Sequence, residues 1–298
     1  MKFPGYRIRS KKIGGFGLAN DKFSFNGQTA NIPKLGAVNM AEVLRFNGRI
    51  LSGRVKERAG RWYLTVTVEC ESQPVASPCG SVGIDFGLKS FATLSNAETV
   101  ETQAHFRKSE ARLKKLQRGL ARKKKGSNNR RKWKLKVARM HERISNQRSD
   151  FLHKFTTAVC AAFAIICVED LNLAGLCQTR LSKSFHDAGI GEAIRQFEYK
   201  TSWARTMLQK VGRFFASSKL CNVCGVKNED LKLSDREWDC AGCGAHHERD
   251  LNAALNTELE GKRLLAGNGY LGATTVEGKA LTQASARVKL CLDEAVRM

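Results

Sequence analysis

Two pairs of cysteines constrain this chain more than any other feature. Cys221-Asn-Val-Cys224 is followed, after fifteen intervening residues, by Cys240-Ala-Gly-Cys243. Each CxxC can place two thiolates on one knuckle, and two knuckles close a tetrahedral S4 site with no open position for a substrate. Such a site holds structural zinc. Gly225 and Gly244 follow the two pairs, where a knuckle turn tolerates positive φ. The competing reading is two redox-active CxxC pairs, or chance. His246 and His247 lie close enough to replace a cysteine; with four cysteines present they are assigned to the surface or to a substrate-facing position. The other six cysteines (70, 79, 160, 167, 177 and 291) are scattered, and are expected to be small buried residues or inert thiols.

The chain around this module has 298 residues, with 51 basic against 28 acidic side chains, a net of +23. That excess is most simply neutralised by a polyanion. A spanning helix needs about 18 apolar residues, and the longest apolar run, residues 158–168, has eleven. No membrane partner is expected. The basic start of the chain has no apolar stretch after it, so it does not read as a secretory signal, and the cytoplasm is the expected compartment.

Residues 1–73 read as β-rich. Asn26-Gly27 and Asn47-Gly48 offer tight turns, and residues 61–69 alternate Trp62, Leu64, Val66 and Val68 against Tyr63, Thr65, Thr67 and Glu69, the pattern of a half-buried strand. A Pro/Ser/Gly linker leads to a second unit from Ser81. Short strands are expected at 82–86, 91–95 and 98–103, then at 164–169, with a helix over 191–208 and a strand over 211–215. Residues 107–148 hold 18 Lys/Arg and two Glu, so they contribute +16 of the +23. Leu113, Leu116 and Leu120, then Trp133, Val137, Met140 and Ile144, recur at helical steps on either side of Gly126-Ser-Asn-Asn129. This predicts a helical hairpin with one apolar stripe and several cationic faces, its second helix continuing through Phe151, Phe155 and Val159. A solvated helix face is the plainer account of the charge. Residues 249–259 read as helix, and another helix is possible at the very end.

Three acids stand out by context. Asp85 interrupts the apolar strand GIDFG, Glu169 ends ICVEDL, and Asp250 follows the cysteine module. A buried carboxylate is costly unless it faces a cation or accepts strong hydrogen bonds. Hard oxygen ligands suit Mg²⁺ or Mn²⁺, and two such ions can activate water against a phosphodiester. Taken singly, each acid is equally well a solvated strand-end carboxylate.

Several blocks together change this balance. GIDFGLKSFATLS (83–95), VEDLNLAGL (168–176), RLSKSFHDAGIGEAIRQFEYKTSWA (180–204) and RFFASSKLCNVCG…LSDREWDCAGCGAHHERDLNAALN (213–256) resemble the blocks of TnpB/OrfB proteins of insertion sequences, which are similar to type V CRISPR nucleases. The resemblance runs in order over roughly residues 3–260. It implies an α/β fold: an RNase H-like (RuvC) mixed sheet with an inserted zinc ribbon, preceded by a partial β-barrel. The implied divisions are a wedge-like barrel at 1–73, a nuclease core at 81–215 carrying the hairpin, a zinc ribbon at 216–247, and a final helix and tail at 248–298. The family's metal-binding, catalytic acids fall on Asp85, Glu169 and Asp250, and its zinc ligands on Cys221, Cys224, Cys240 and Cys243. Ala216 stands where the family commonly has Pro, and Glu248 where it commonly has Asp. The family's helical recognition lobe, inserted in the barrel, has no counterpart here.

The implied activity is RNA-guided DNA endonuclease of a mobile element, Mg²⁺- or Mn²⁺-dependent, with target DNA and guide RNA as partners and the basic hairpin along a heteroduplex backbone. Two alternatives stay open: a non-cleaving nucleic-acid binder, and a transposase performing strand transfer.

Overall fold

The computed structural model describes residues 15–70, 78–232 and 234–267. Two compact units are present. One takes the described residues within 1–73 and 113–142, the other those within 74–112 and 143–298. The two sequence-adjacent helices α1 (His105–Ala121) and α2 (Asn128–Ala162) each contribute to both. The helix expected at the chain's end lies outside the described residues, as does Cys291.

In the first unit, β1 (Phe16–Ala19), β5 (Arg49–Arg58) and β6 (Arg61–Glu69) form one antiparallel sheet in the order β1-β5-β6. β2 (Ser24–Asn26), β3 (Thr29–Ile32) and β4 (Gly36–Asn39) form another. Among the described residues these are two separate three-stranded sheets sharing a small core of Leu18, Phe23, Ala30, Ile32 and Val55. The expected turn at Asn26-Gly27 joins β2 to β3, with Gly27 at φ 55°. The turn expected at Asn47-Gly48 is corrected: those residues lead into β5, and the hairpin reverses at Ala59-Gly60, both at positive φ (51° and 76°). Such a turn matches the twist of the strands it joins. Ala59 gave no signal because it seldom adopts that conformation. Leu64, Val66 and Val68 are half-buried as expected, while Trp62, beside the turn, is exposed.

The same unit contains the tip of the helical hairpin. Leu113, Met140 and Ile144 are buried and Leu116, Leu120, Trp133 and Val137 are half-buried, so the stripe read from spacing is the inward seam. The Arg130 guanidinium donates to the carbonyls of Leu120 and Lys123, both at 3.0 Å. These bonds tie the start of α2 to the turn that ends α1. The Trp133 ring lies where a Cβ on Gly119 would be, and Lys123 and Lys136 stand 5.5 and 5.0 Å from its centroid.

The second unit is a five-stranded mixed sheet, order β11-β10-β7-β8-β9. β7 (Ser81–Phe86), β10 (Ile165–Glu169) and β11 (Met207–Val211) run parallel; β8 (Ser90–Leu94) and β9 (Thr99–Glu101) are antiparallel additions. Between β10 and β11 come α3 (Leu173–Leu176), α4 (Ser182–Ala188) and α5 (Ile190–Ala204). The helix expected to reach residue 208 stops at 204, because Arg205 turns left-handed at φ 55° and caps it. Met207 and Leu208, which continued the apolar spacing, pair with Ile165 and Ile166 instead. The strand expected at 211–215 therefore lies four residues earlier.

Phe91, Phe151, Phe155 and Phe197 interlock edge-to-face in the core, with Phe91 5.1 Å from Phe151 and 5.3 Å from Phe155. The buried Asp187 carboxylate accepts from the backbone N–H groups of Phe106 and Arg107, at 2.9 and 3.2 Å, and so caps the start of α1. After the cysteine module, whose strands are β12 (Glu237–Asp239) and β13 (His246–Glu248), α6 (Arg249–Gly267) packs back on the sheet. Among the described residues, no helix is long and apolar enough to cross a membrane.

Candidate functional site: an acidic sheet edge beside a cysteine cluster

β7 is buried along nearly its whole length, apart from half-buried Asp85. It pairs with β10 in parallel register up to Ile84↔Val168. The next residue on each strand is an acid, so Asp85 and Glu169 emerge side by side at the carboxyl end of the sheet. In open α/β sheets, that end is where sites form.

Asp250 arrives by a different route. Gly83, two residues before Asp85, has no side chain, and the Ala254 carbonyl of α6 sits where its Cβ would be. Asp250 lies one helical turn ahead of Ala254 on the same face. Cys167 meets Gly261 in the same manner further along α6. Two glycine contacts thus fix the helix against β7 and β10 and aim its first turn at the acidic edge.

The electrostatics register this convergence. Burial, then the Asp250 charge, then that of Glu169, push the Asp85 carboxyl up to about 7, with Arg249 and Arg236 opposing. Burial, then Asp170, raises Glu169. The Arg236 guanidinium pairs with Asp250 at 3.2 Å, and its backbone carbonyl accepts from the N–H of Arg249 at 2.7 Å. Arg213 pairs with Asp170 at 3.0 Å. Neither Arg236 nor Arg213 stood out in the sequence, because one arginine in a chain this basic carries no signal.

The four cysteines gather more tightly. Their sulfurs all lie within 4.8 Å of one another, with Cys221–Cys243 at 3.6 Å and Cys224–Cys240 at 3.5 Å. A tetrahedron of ~2.3 Å metal–sulfur bonds has edges of roughly 3.8 Å, so the quartet fits one ion. Among the described residues it is the group of three or more potential ligands already closed around one point; the acids share an edge without closing in that way.

Both knuckles are built alike. Gly225 donates to the Cys221 carbonyl at 2.9 Å and Gly244 to that of Cys240 at 2.8 Å, with the glycines at φ 75° and 71°. Backbone N–H groups of Cys243 and then Gly242 hold the Cys240 thiol down to about 7. Asn252 and Asn256 of α6 each donate to the Leu220 carbonyl at 2.7 Å, tying the module to the helix that carries Asp250.

One assignment needs correcting. His246 is exposed, but His247 is buried, stacks on Trp238 at 4.6 Å, and shares a 3.0 Å hydrogen bond between its Nε2 and the Cys221 sulfur. It is neither on the surface nor substrate-facing. In β13 alternate residues face opposite sides, so two adjacent histidines cannot share one environment. Of the remaining cysteines, Cys160 and Cys167 are buried, and burial pushes both thiols up to about 12, as expected of inert thiols.

A mixed α/β unit with an acidic strand edge and a four-cysteine cluster is the class these features define. The family model OrfB_IS605, described as "Probable transposase", matches residues 64–180, and "Cas12f1-like, TNB domain" matches residues 191–257. Over these two stretches, in order, the chain is similar to the TnpB/OrfB family. It is 38% identical over 266 residues to "Putative RNA-guided DNA endonuclease" of Streptomyces pristinaespiralis, covering 86% of this chain and 64% of that protein. It is 33% identical over 252 residues to "Putative RNA-guided DNA endonuclease InsQ" of Escherichia coli (strain K12), covering 79% and 62%. The chain therefore spans somewhat under two thirds of these relatives' length. A solved structure titled "Cryo-EM structure of the Cas12f1-sgRNA-target DNA complex" aligns at 18% identity and TM-score 0.49, over 70% of this chain and 45% of that one.

Proposed function

We propose that this chain is an RNA-guided DNA endonuclease with a RuvC-like, RNase H-type core, in which Asp85, Glu169 and Asp250 hold Mg²⁺ or Mn²⁺. The observation that carries this reading is the placement of two acids side by side on parallel strands with a third delivered by α6, close enough that the charges on Asp250 and Glu169 help raise the Asp85 carboxyl to about 7. The strand order, with the first three strands of the sheet antiparallel and the last two added in parallel beside the first, supports the RNase H-type reading. So do the names of the two relatives.

Carboxylate oxygens are a fitting donor set for hard divalent cations. When bound, such ions supply charge stabilisation for the attacking and leaving oxygens of a phosphodiester. The protein's own contribution is positional. β7 and β10 fix two carboxylates in register, and α6 sets the third. Burial leaves the Asp85 carboxyl at about 7 even with Arg249 and Arg236 opposing, so it would shed its proton on taking its place, with Glu169 and Asp250, around a divalent cation. Arg236 neutralises Asp250 meanwhile.

In this reading the cysteine quartet holds structural zinc, in a ribbon at 216–247 between the nuclease core at 81–215 and the final helix and tail at 248–298. Residues 1–73 supply a partial barrel, and the cationic faces of the 107–148 hairpin line a guide–target backbone. Target DNA and guide RNA are the partners.

The test is cleavage of a matched duplex by the full chain with its co-purified RNA. Asp85→Asn, Glu169→Gln and Asp250→Asn should each abolish Mg²⁺- or Mn²⁺-dependent cutting while leaving RNA binding intact. Cutting that survives Asp85→Asn would refute the site. Joined rather than hydrolysed strands would move the assignment to strand transfer; bound RNA without cutting would leave a binding protein.

A further inference from the structure

The most exposed large apolar side chain among the described residues is Phe214, at 96%; the next, Val223, is at 67%. Single exposed apolar residues are ordinary. Phe214 differs in where it stands and how firmly it is held.

β11 ends at Val211, which lies opposite Glu169 in the parallel register. Neighbouring strands are about 4.8 Å apart, and three residues of chain reach at most roughly 11 Å. Phe214 therefore starts within about 16 Å of Glu169, on the loop that leaves the acidic edge.

That loop is fixed at both ends. Phe215 donates to the Gly212 carbonyl at 2.9 Å, closing a tight turn with Arg213 and Phe214 at its apex. Arg213 is anchored to Asp170, the residue after Glu169, at 3.0 Å. Downstream, Ser217 donates to the Phe215 carbonyl at 2.9 Å, and the Ser217 carbonyl accepts from Asn256 of α6 at 2.8 Å. An aromatic ring is thus presented to solvent from a backbone tied to the same two elements that position Glu169 and Asp250. The other strongly exposed ring described in this unit, Trp203, is near the end of α5, just before β11 begins, and so belongs to the opposite edge of the sheet.

We propose that Phe214 is a stacking platform for an unpaired nucleobase of the strand lying at the acidic edge. Every base offers a flat π-face to such a ring, whatever the sequence. A chain of net charge +23 favours a polyanion over a second copy of itself. The proposal rests on the nuclease reading for its geometry, but its test needs no cleavage.

The test is binding of single-stranded oligonucleotides carrying 2-aminopurine to the full-length chain without added divalent ions, with DNA and RNA versions run in parallel. Stacking quenches the probe. Phe214→Leu keeps apolar bulk and removes the ring. It should weaken single-strand binding about tenfold and relieve the quenching, while Phe214→Trp preserves both and duplex binding is unchanged. A loss confined to the DNA or to the RNA arm supports the proposal and identifies the strand. Equal binding and quenching in Phe214→Leu would overturn it. So would a change in sedimentation, which would assign the ring to self-association. Because thermal unfolding of so exposed a variant should match the parent, misfolding is separable. If Asp85→Asn still cuts while Phe214→Leu loses stacking, the nuclease assignment fails and the platform stands.

Discussion

The cysteine quartet and the acidic edge lie in one unit and invite the same question, whether each holds metal, yet they are assembled in opposite ways. The cysteines sit on two local knuckles, each held by its own backbone hydrogen bonds, and their sulfurs are already at bonding separation for one ion. The acids are 84 and 81 residues apart in sequence, and they meet only because two parallel strands and a helix converge. The first site is closed around one point. The second is strained by its own charges and shielded by Arg236. A closed soft-ligand site suits a permanent structural ion; an open hard-ligand edge suits ions that come with a substrate.

The largest effect expected from this contrast is at the cysteines. Structural zinc contributes on the order of 10 kcal/mol to folding of its module. Cys240→Ser should release the metal and unfold the ribbon, seen as loss of zinc by elemental analysis and of the near-ultraviolet signal of the buried Trp238. Through Asn252 and Asn256, cutting should be lost as well. Full zinc content with an intact ribbon in this variant would break the comparison at its root.

Asp85→Asn should do the reverse: destroy function and raise stability. In the folded chain this carboxyl titrates near 7 against an ordinary value of 3.8. The folded state therefore holds the extra proton between those values, and stability falls as pH rises from about 4 to about 7, then stays low. Removing the charge should restore up to about 4 kcal/mol at pH 8 and nothing at pH 3. Denaturant titrations of parent and variant at both pH values, without added magnesium, measure the difference. A variant no more stable than the parent at pH 8 would show that Asp85 is not strained by its surroundings.

The helix that delivers Asp250 gives the third test. Gly83→Ala would drive a methyl into the Ala254 carbonyl, with an expected cost of about 3 kcal/mol and loss of cutting. Gly17→Ala, with open space around it, serves as the control and should shift stability little. Equal, small changes in both would mean that α6 is not seated on β7 through Gly83.

These differences also explain what could be read beforehand. CxxC spacing is local chemistry, and the quartet followed directly from it. The helical seam of Leu113 to Ile144 was legible because burial in a helix repeats every three to four residues. The convergence of Asp85, Glu169 and Asp250 was not contained in any spacing: strand context marked the three acids as candidates, and only the family resemblance joined them into one site. The misplaced strand at 211–215 had a particular cause: Met207 and Leu208 fit a helical period equally well, and only pairing with β10 distinguishes the two. Arg236 was invisible because its role depends on where α6 begins.

The smallest expected effect concerns His247, the residue whose burial the sequence did not reveal. A thiolate cannot donate, so with Cys221 ionised on a metal the Nε2 of His247 must carry the proton and donate across the 3.0 Å contact. Removing a hydrogen bond to a ligating atom typically weakens metal affinity about tenfold or more. His247→Ala should therefore bind zinc roughly tenfold less tightly in chelator competition, while His247→Gln, whose amide can still donate, loses less. Cobalt substitution separates donor from ligand. Four thiolates give one pattern of sulfur-to-metal absorption, which His247→Ala should leave unchanged, whereas a histidine standing in for Cys221 would weaken it in the parent. Unaltered zinc affinity in His247→Ala would reduce this contact to simple packing against Trp238 and make the quartet independent of everything around it.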